Sequence, residues 1–453
     1  MVRRRDFLKA LGVAGSAAGC GPIRQESRRA EDISSGQIVP GTMTCRKDTS
    51  GEDNVSLLGF GCMRIPLRDV SDLREGEKFD QESFNAMVDF ALSCGVNYFD
   101  TSPRYCEGKS EEIVGKALSR HDRKSYYIAT KMSNMAPETF SREESLAMYH
   151  RSMEYLQTDY FDYYLVHNVG SHENFKQRFL DNGILDFLVA EREAGRIRHL
   201  GWSFHGEKEF FDWMLDCGTH WDFTQIQLNY IDWQHASGFN VNAEYLYGEL
   251  DKRGIQAIVM EPLRGGALAR GNHQIRALFK GKAPERSVAS WAFRFAASLP
   301  NVLTVLSGMT FMEHLRDNIL TFSPLDPLDE EENATIRQAV EAFLSLSTEG
   351  TPCTGCKYCM PCPYGLDIPE IFLHYNRCLT EQTLPLSPDD DGYRRARRAF
   401  LIGYDRAVPR LRQADHCTGC RDCVSKCPQW IDIPGEMLKI DEYVEKLRAE
   451  GGF

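Results

Sequence analysis

The chain has 453 residues, 42% of them hydrophobic and 11% aromatic, which suits two or three packed domains and excludes global disorder. Its formal net charge of -12 excludes a general nucleic-acid binder, which would present a basic face. Of its 15 cysteines, eight stand in two C-terminal runs. The other seven (Cys20, Cys45, Cys62, Cys94, Cys106, Cys217 and Cys378) are scattered, without the spacing of a disulfide framework.

The first element is an address. MVRRRDFLKALGVAGSAAGC sets Arg4 and Arg5 ahead of Phe7, Leu8, Lys9 and a small apolar run, and resembles a twin-arginine export signal. That run is about half the ~20 residues a membrane span needs. It ends Ala17-Ala18-Gly19-Cys20, similar to a lipoprotein cleavage site, with Ala17 where such sites usually carry Leu. An acylated Cys20 would be a lipid anchor. Residues 1–20 are read as the signal and 21–52 as a flexible linker. The expected location is the periplasm or cell envelope, reached by a route that exports proteins already folded around their cofactors.

Short β-branched or aromatic runs then recur between helical patterns. Strands are predicted near Val55–Gly61, Val96–Asp100, Tyr126–Lys131, Phe161–His167, Arg198–Ser203, Phe223–Leu228, Ile255–Met260 and Val302–Ser307. Between the first two, Phe84, Val88 and Leu92 share one helical face. Strand–helix alternation implies parallel strands, and eight units over about 250 residues predict an α/β class (β/α)8 TIM barrel over 53–322. A doubly wound sheet is the alternative, but no G-x-G-x-x-G follows the first strand.

A barrel places catalytic groups at the C-terminal ends of its strands. Asp100 ends the second run in NYFDTSPRY, Lys131 the third in YYIATK and His167 the fourth in DYYLVHN, with Tyr105 five residues past Asp100. One such residue would read as a strand cap; three in a row beside a tyrosine do not. Asp100, Tyr105, Lys131 and His167 in these runs resemble the tetrad of the aldo-keto reductases, and the resemblance implies carbonyl reduction. As hydride reaches a carbonyl carbon, Tyr105, with an ordinary pKa of ~10 lowered by the Lys131 ammonium, would give the oxygen a proton; Asp100 would hold the lysine, and His167 would orient the oxygen.

FDTSPRY, ATK, DYFDYYLVH and GWS, in this order, resemble the aldo-keto reductases over about Leu57 to Asn318. The resemblance implies a catalytic tetrad of Asp100, Tyr105, Lys131 and His167, and a small carbonyl or alcohol substrate. It also implies a nicotinamide dinucleotide across the barrel mouth. Contacts would come from Gly61, Cys62 and Met63, from Ser203 and Gln225, and from Met260 in the place of the family's stacking aromatic. Pro262, Leu263 and Gly265 of EPLRGGAL would face the pyrophosphate, and Gly308, Asp317 and Asn318 of SGMTFMEHLRDN the adenine end. Near Gly308, Met309 and His314 no Arg or Lys clamp for a 2'-phosphate is visible, so the cofactor is read as NAD or NADP.

The tail changes character. DPLDEEENATIRQAVEAFLSL reads as a connecting helix within 323–349, capped by Asp326 ahead of Pro327. Residues 350–453 carry CTGCKYCMPCP and CTGCRDCVSKCP. The second is the bacterial ferredoxin run, and the first is one residue shorter before its last cysteine. In such pairs the fourth cysteine of one run ligates the other cluster. Cys353, Cys356, Cys359 and Cys427 would hold one [4Fe–4S] cluster, and Cys417, Cys420, Cys423 and Cys362 the other. Zinc, the alternative, needs four ligands rather than two such runs. The long helical insert between the runs resembles the α-helical ferredoxin modules of respiratory reductases, with Cys378 in its core. RRARR, Arg394 to Arg398, reads as a solvated helix face or a docking patch for an acidic redox partner protein.

Two readings result. One is an exported carbonyl/alcohol oxidoreductase that passes electrons through two clusters. The other is a non-enzymatic electron-transfer or sensory subunit on a repurposed barrel.

Overall fold

The computed structural model describes residues 38–39, 41–68, 78–238, 240–345 and 350–450. The export signal, Cys20 and most of the expected linker lie outside these residues.

The linker does not extend to residue 52. Strand β1 (Cys45–Lys47) pairs antiparallel with β2 (Asn54–Ser56), and Val55 from this hairpin is fully buried against Tyr163 and Phe223 inside the barrel base. The Asp53 carboxylate accepts from Arg198 at 2.6 Å and pairs with His199 at 3.0 Å, which ties the hairpin to the barrel. Three-residue strands are too short to show periodicity, so a polar sequence concealed them.

Eight parallel strands close the barrel: β3 (Leu58–Gly61), β4 (Tyr98–Asp100), β5 (Tyr127–Met132), β6 (Phe161–Val169), β7 (Ile197–Phe204), β8 (Phe223–Gln227), β9 (Gln256–Met260) and β10 (Val302–Gly308). Each coincides with a predicted strand. They are buried on both faces: Tyr98, Ala129, Tyr163, Leu165 and Ile258 fill the interior, while Phe60, Phe99 and Val259 pack outward on helices. Register brings the strand ends level. Gly308 pairs with Gly61 and Gly61 with Asp100, so these residues share one rim.

Helix Glu330–Leu344 leaves the barrel, held by Ile336, Ala339 and Ala342 against Phe279 and Trp291. Its cap is Asp329, not Asp326, because Asp329 and Glu332 form a reciprocal capping box. Asp326 turns instead to Arg286 and Arg294.

The C-terminal domain is mainly helical. Helices Ile368–Thr380, Tyr393–Ala407 and Ile433–Ala449 enclose Phe372, Phe400, Tyr404, Met437 and Ile440, with Cys378 buried among them. Each such apolar side chain contributes about 1.5–3 kcal/mol on burial. In RRARR, Arg394, Arg395 and Arg398 are exposed, but Arg397 is buried and donates to the Leu447 carbonyl at 2.7 Å.

Candidate active site

The rim gathers the four predicted catalytic groups. Asp100 ends β4, and Lys131 and His167 lie near the ends of β5 and β6. Tyr105 follows in a tight turn whose next residues, Cys106 and Glu107, take positive φ angles of 52° and 58°. Lys131 Nζ donates to Asp100 Oδ2 at 2.6 Å and to the Thr101 carbonyl at 2.8 Å, and lies 5.1 Å from the Tyr105 ring centre. His167 is held at Nδ1 by the Ser133 hydroxyl at 2.6 Å.

Burial governs the charges. It pushes the Lys131 ammonium down and the Asp100 carboxyl up, and each ion opposes the push on the other. It holds His167 far below its ordinary pKa, aided by Lys131 and Arg178, so the ring is neutral. Tyr105 departs from the sequence expectation. Its phenol is pushed well above its ordinary value, first by burial and then by Tyr358 and Asp100. The lysine ammonium was expected to lower it, but a roof from the other domain removes the water that would stabilise a phenolate. Tyr105 is therefore a protonated donor.

That roof is the first cysteine run. Tyr358, between Cys356 and Cys359, reaches into the barrel mouth. Its hydroxyl lies 3.0 Å from His167 Nε2, beside the Tyr105 phenol. Arg64 donates to the Thr354 carbonyl at 2.9 Å, and Gln429 to Gln227 at 2.9 Å. Gly265, at φ +63°, lies so close to Thr354 that a Cβ would fall 2.5 Å from its carbonyl oxygen.

Between barrel and roof runs a cavity of about 520 Å3, within the range of cofactor sites. Asp100, Tyr105 and His167 line one end, and His314, Asp317 and Asn318 the other. Gly61, Met63, Ser203, Gln225, Met260, Pro262, Leu263, Gly265 and Gly308 lie along it, as the sequence reading expects. Cys62 does not: it is fully buried in the core behind the rim, its backbone bonded to Asp100 and Ser110 and its thiol to the Phe60 carbonyl. Lys131 also stays behind Asp100, outside the lining. The sequence reading named Cys356 only as a cluster ligand, and missed Arg64, Glu261, Arg270, Glu313, Tyr358 and Gln429. Arg64 could have been suspected, since it directly follows Met63; the roof residues carried no signal.

The walls suit a nicotinamide dinucleotide. Gln225 Oε1 is buried and has no hydrogen-bond partner among the described residues, an acceptor matched to a carboxamide. Arg64 and Arg270 bring positive charge beside the EPLRGGAL loop, as a diphosphate requires. The far end adds Glu313 and Asp317 but no lysine.

The cysteines also divide as expected. Cys353, Cys356, Cys359 and Cys427 line one small cavity beside Phe372 and Ile433. Cys362, Cys417, Cys420 and Cys423 line another. Among the described residues no three His, Cys, Asp or Glu side chains close around a single ion. Four thiols around a shared cavity suit a larger group, a four-iron cluster.

Barrel, rim and thiol cavities define an oxidoreductase with an iron–sulfur domain seated on its active-site mouth. Residues 57–341 match the aldo/keto reductase family, and the chain belongs to it. Residues 352–431 match the 4Fe-4S dicluster domain. The chain is 25% identical over 297 residues to an uncharacterised oxidoreductase of Bacillus subtilis, covering 61% of this chain and 90% of that one. It is 25% identical over 322 residues to the L-galactose dehydrogenase of Arabidopsis thaliana, covering 65% and 93%. Among solved structures, the holo aldo-keto reductase of Bacillus halodurans superposes with a TM-score of 0.53 at 22% identity, over 66% of this chain and 96% of that one. That likeness is one of fold.

Proposed function

We propose that the protein interconverts a carbonyl and an alcohol with a nicotinamide cofactor, NAD or NADP, and exchanges electrons with a redox partner protein through two [4Fe–4S] clusters. The observation that carries this reading is the shared cavity: Tyr105 and His167 line it together with Cys356, a cluster ligand on the proposed assignment. The dehydrogenase name of the Arabidopsis thaliana relative is consistent with it.

A bound nicotinamide supplies or takes the hydride, and the clusters carry single electrons. The chain's residues do the rest. Tyr105, protonated by virtue of its burial, gives its proton to the substrate oxygen. Lys131, fixed by Asp100, sets positive charge beside the phenol as that proton leaves. Neutral His167 meets the same oxygen through Nε2. Arg64 and Arg270 receive the diphosphate, and Gln225 the carboxamide. Glu313 and Asp317 disfavour a 2'-phosphate, so NAD is the preferred nucleotide. The second thiol set, with Cys420 exposed, is the exit towards the partner. The N-terminal twin arginines support export, and Cys20 a lipid anchor. Away from the cytoplasmic nucleotide pool, a tightly held nucleotide coupled to clusters would avoid dependence on free cofactor.

The test is Tyr105→Phe in anaerobically reconstituted protein, with NADH and glyceraldehyde as probe. Carbonyl reduction falls at least 100-fold, the usual worth of a positioned acid, while cluster reduction by dithionite is unchanged. Turnover unchanged in the variant rejects the reading.

A further inference from the structure

One of the two groups assigned to the substrate oxygen, His167, already holds another oxygen. Tyr358 brings its hydroxyl within 3.0 Å of His167 Nε2 and stands beside the Tyr105 phenol. Its ring stands edge-on to that of His167, 6.0 Å between centres, and is 7% exposed. The backbone is set to deliver it: Lys357, just before, takes a φ of +66°, a region that costs a non-glycine residue about 1 kcal/mol or more. One seat between Tyr105 and His167 cannot hold two oxygens.

We propose that Tyr358 gates the active site: its hydroxyl occupies the seat of the substrate oxygen, and a substrate binds by displacing it. This rests on the carbonyl/alcohol reading of the same site. Two consequences follow from placement. A substrate must replace the Tyr358–His167 hydrogen bond before it gains any, so a bare carbonyl competes poorly. Substrates with further hydroxyls are favoured, because His205 Nδ1 and Gln429 Oε1 also line the cavity, buried and without partners among the described residues. Moreover, Tyr358 lies between Cys356 and Cys359, so its departure moves the backbone that carries two thiols of the first set. Substrate occupancy is thereby communicated to the first cluster.

The test compares wild type with Tyr358→Phe, which keeps the ring and removes only the competing oxygen. Both are reconstituted anaerobically and checked for equal iron content. Glyceraldehyde is titrated calorimetrically in the presence of NAD+. The variant binds the probe about fivefold tighter, the net worth of one hydrogen bond. Equal or weaker binding overturns the gate. In wild type reduced by dithionite, saturating glyceraldehyde also shifts the electron paramagnetic resonance spectrum of the first cluster; an unaltered spectrum overturns the coupling of gate and cluster. Loss of glyceraldehyde reduction in Tyr105→Phe reports on the underlying reading separately, so the gate can fail while that reading stands.

Discussion

Gly265→Ala drives a methyl group into the seam between the barrel and the iron–sulfur domain. Gly265 holds a φ of +63°, and its Cβ would fall 2.5 Å from the Thr354 carbonyl oxygen and 2.6 Å from the Thr354 Cα. The left-handed backbone alone costs alanine about 1–2 kcal/mol. The neighbour is backbone and cannot rotate aside, so overpacking adds about 1–3 kcal/mol. The roof lifts, because the only relief is to move Thr354 away from the EPLRGGAL loop. A control is Gly248→Ala, where a Cβ meets nothing within 4 Å and alanine suits the helix; it is neutral or stabilising by about 0.5–1 kcal/mol. In urea unfolding followed by cluster absorbance, Gly265→Ala loses about 2–5 kcal/mol, and the first cluster bleaches faster in air than in the control. Equal stability and equal bleaching in the two variants would refute the packed seam.

Cluster assignment is testable by residual spectra: Cys427→Ala and Cys356→Ala leave the same paramagnetic signal, and Cys423→Ala leaves the other. A match between Cys427→Ala and Cys423→Ala would show that the runs do not cross. Glu111 is buried behind Lys131, accepting from Thr130 and Ser152, and burial raises its carboxyl to about 7 from 4.5. An acid with a raised folded pKa binds more protons folded than unfolded. The contribution of Glu111 to stability is therefore greatest below pH ~4.5 and declines as pH rises to ~7, by about 3 kcal/mol. Glu111→Gln, which keeps an acceptor for Thr130, flattens that decline in denaturation measured across this range; an unchanged slope would rule out the buried acid.

The barrel was legible because parallel strands are buried on both faces and read as β-branched or aromatic runs, while the polar residues that end several of them, Asp100, Lys131 and His167 among them, mark the rim. Asp100, Tyr105, Lys131 and His167 were visible for that reason, and the thiols because ligand spacing is local. Tyr358 was not, since an aromatic between two cysteines has no period and its partners lie some 190 and 250 residues away. For the same reason the sign of the Tyr105 shift was missed: lysine beside tyrosine implies a lowered pKa, but the roof that desolvates the pair belongs to another domain. Cys62 was misplaced because its neighbours Gly61 and Met63 face the cavity while its own side chain turns to the core.

The central claim is that the barrel site and the clusters form one redox unit. The direct measurement is anaerobic mixing of NADH with oxidised holoprotein, and of NAD+ with dithionite-reduced holoprotein, followed by cluster absorbance. Two electrons per chain should pass in at least one direction, one for each cluster, and the Gly265→Ala protein should be slower. Clusters that keep their oxidation state in both mixtures, while glyceraldehyde is still reduced by NADH, would contradict it and leave the iron–sulfur domain as a roof alone.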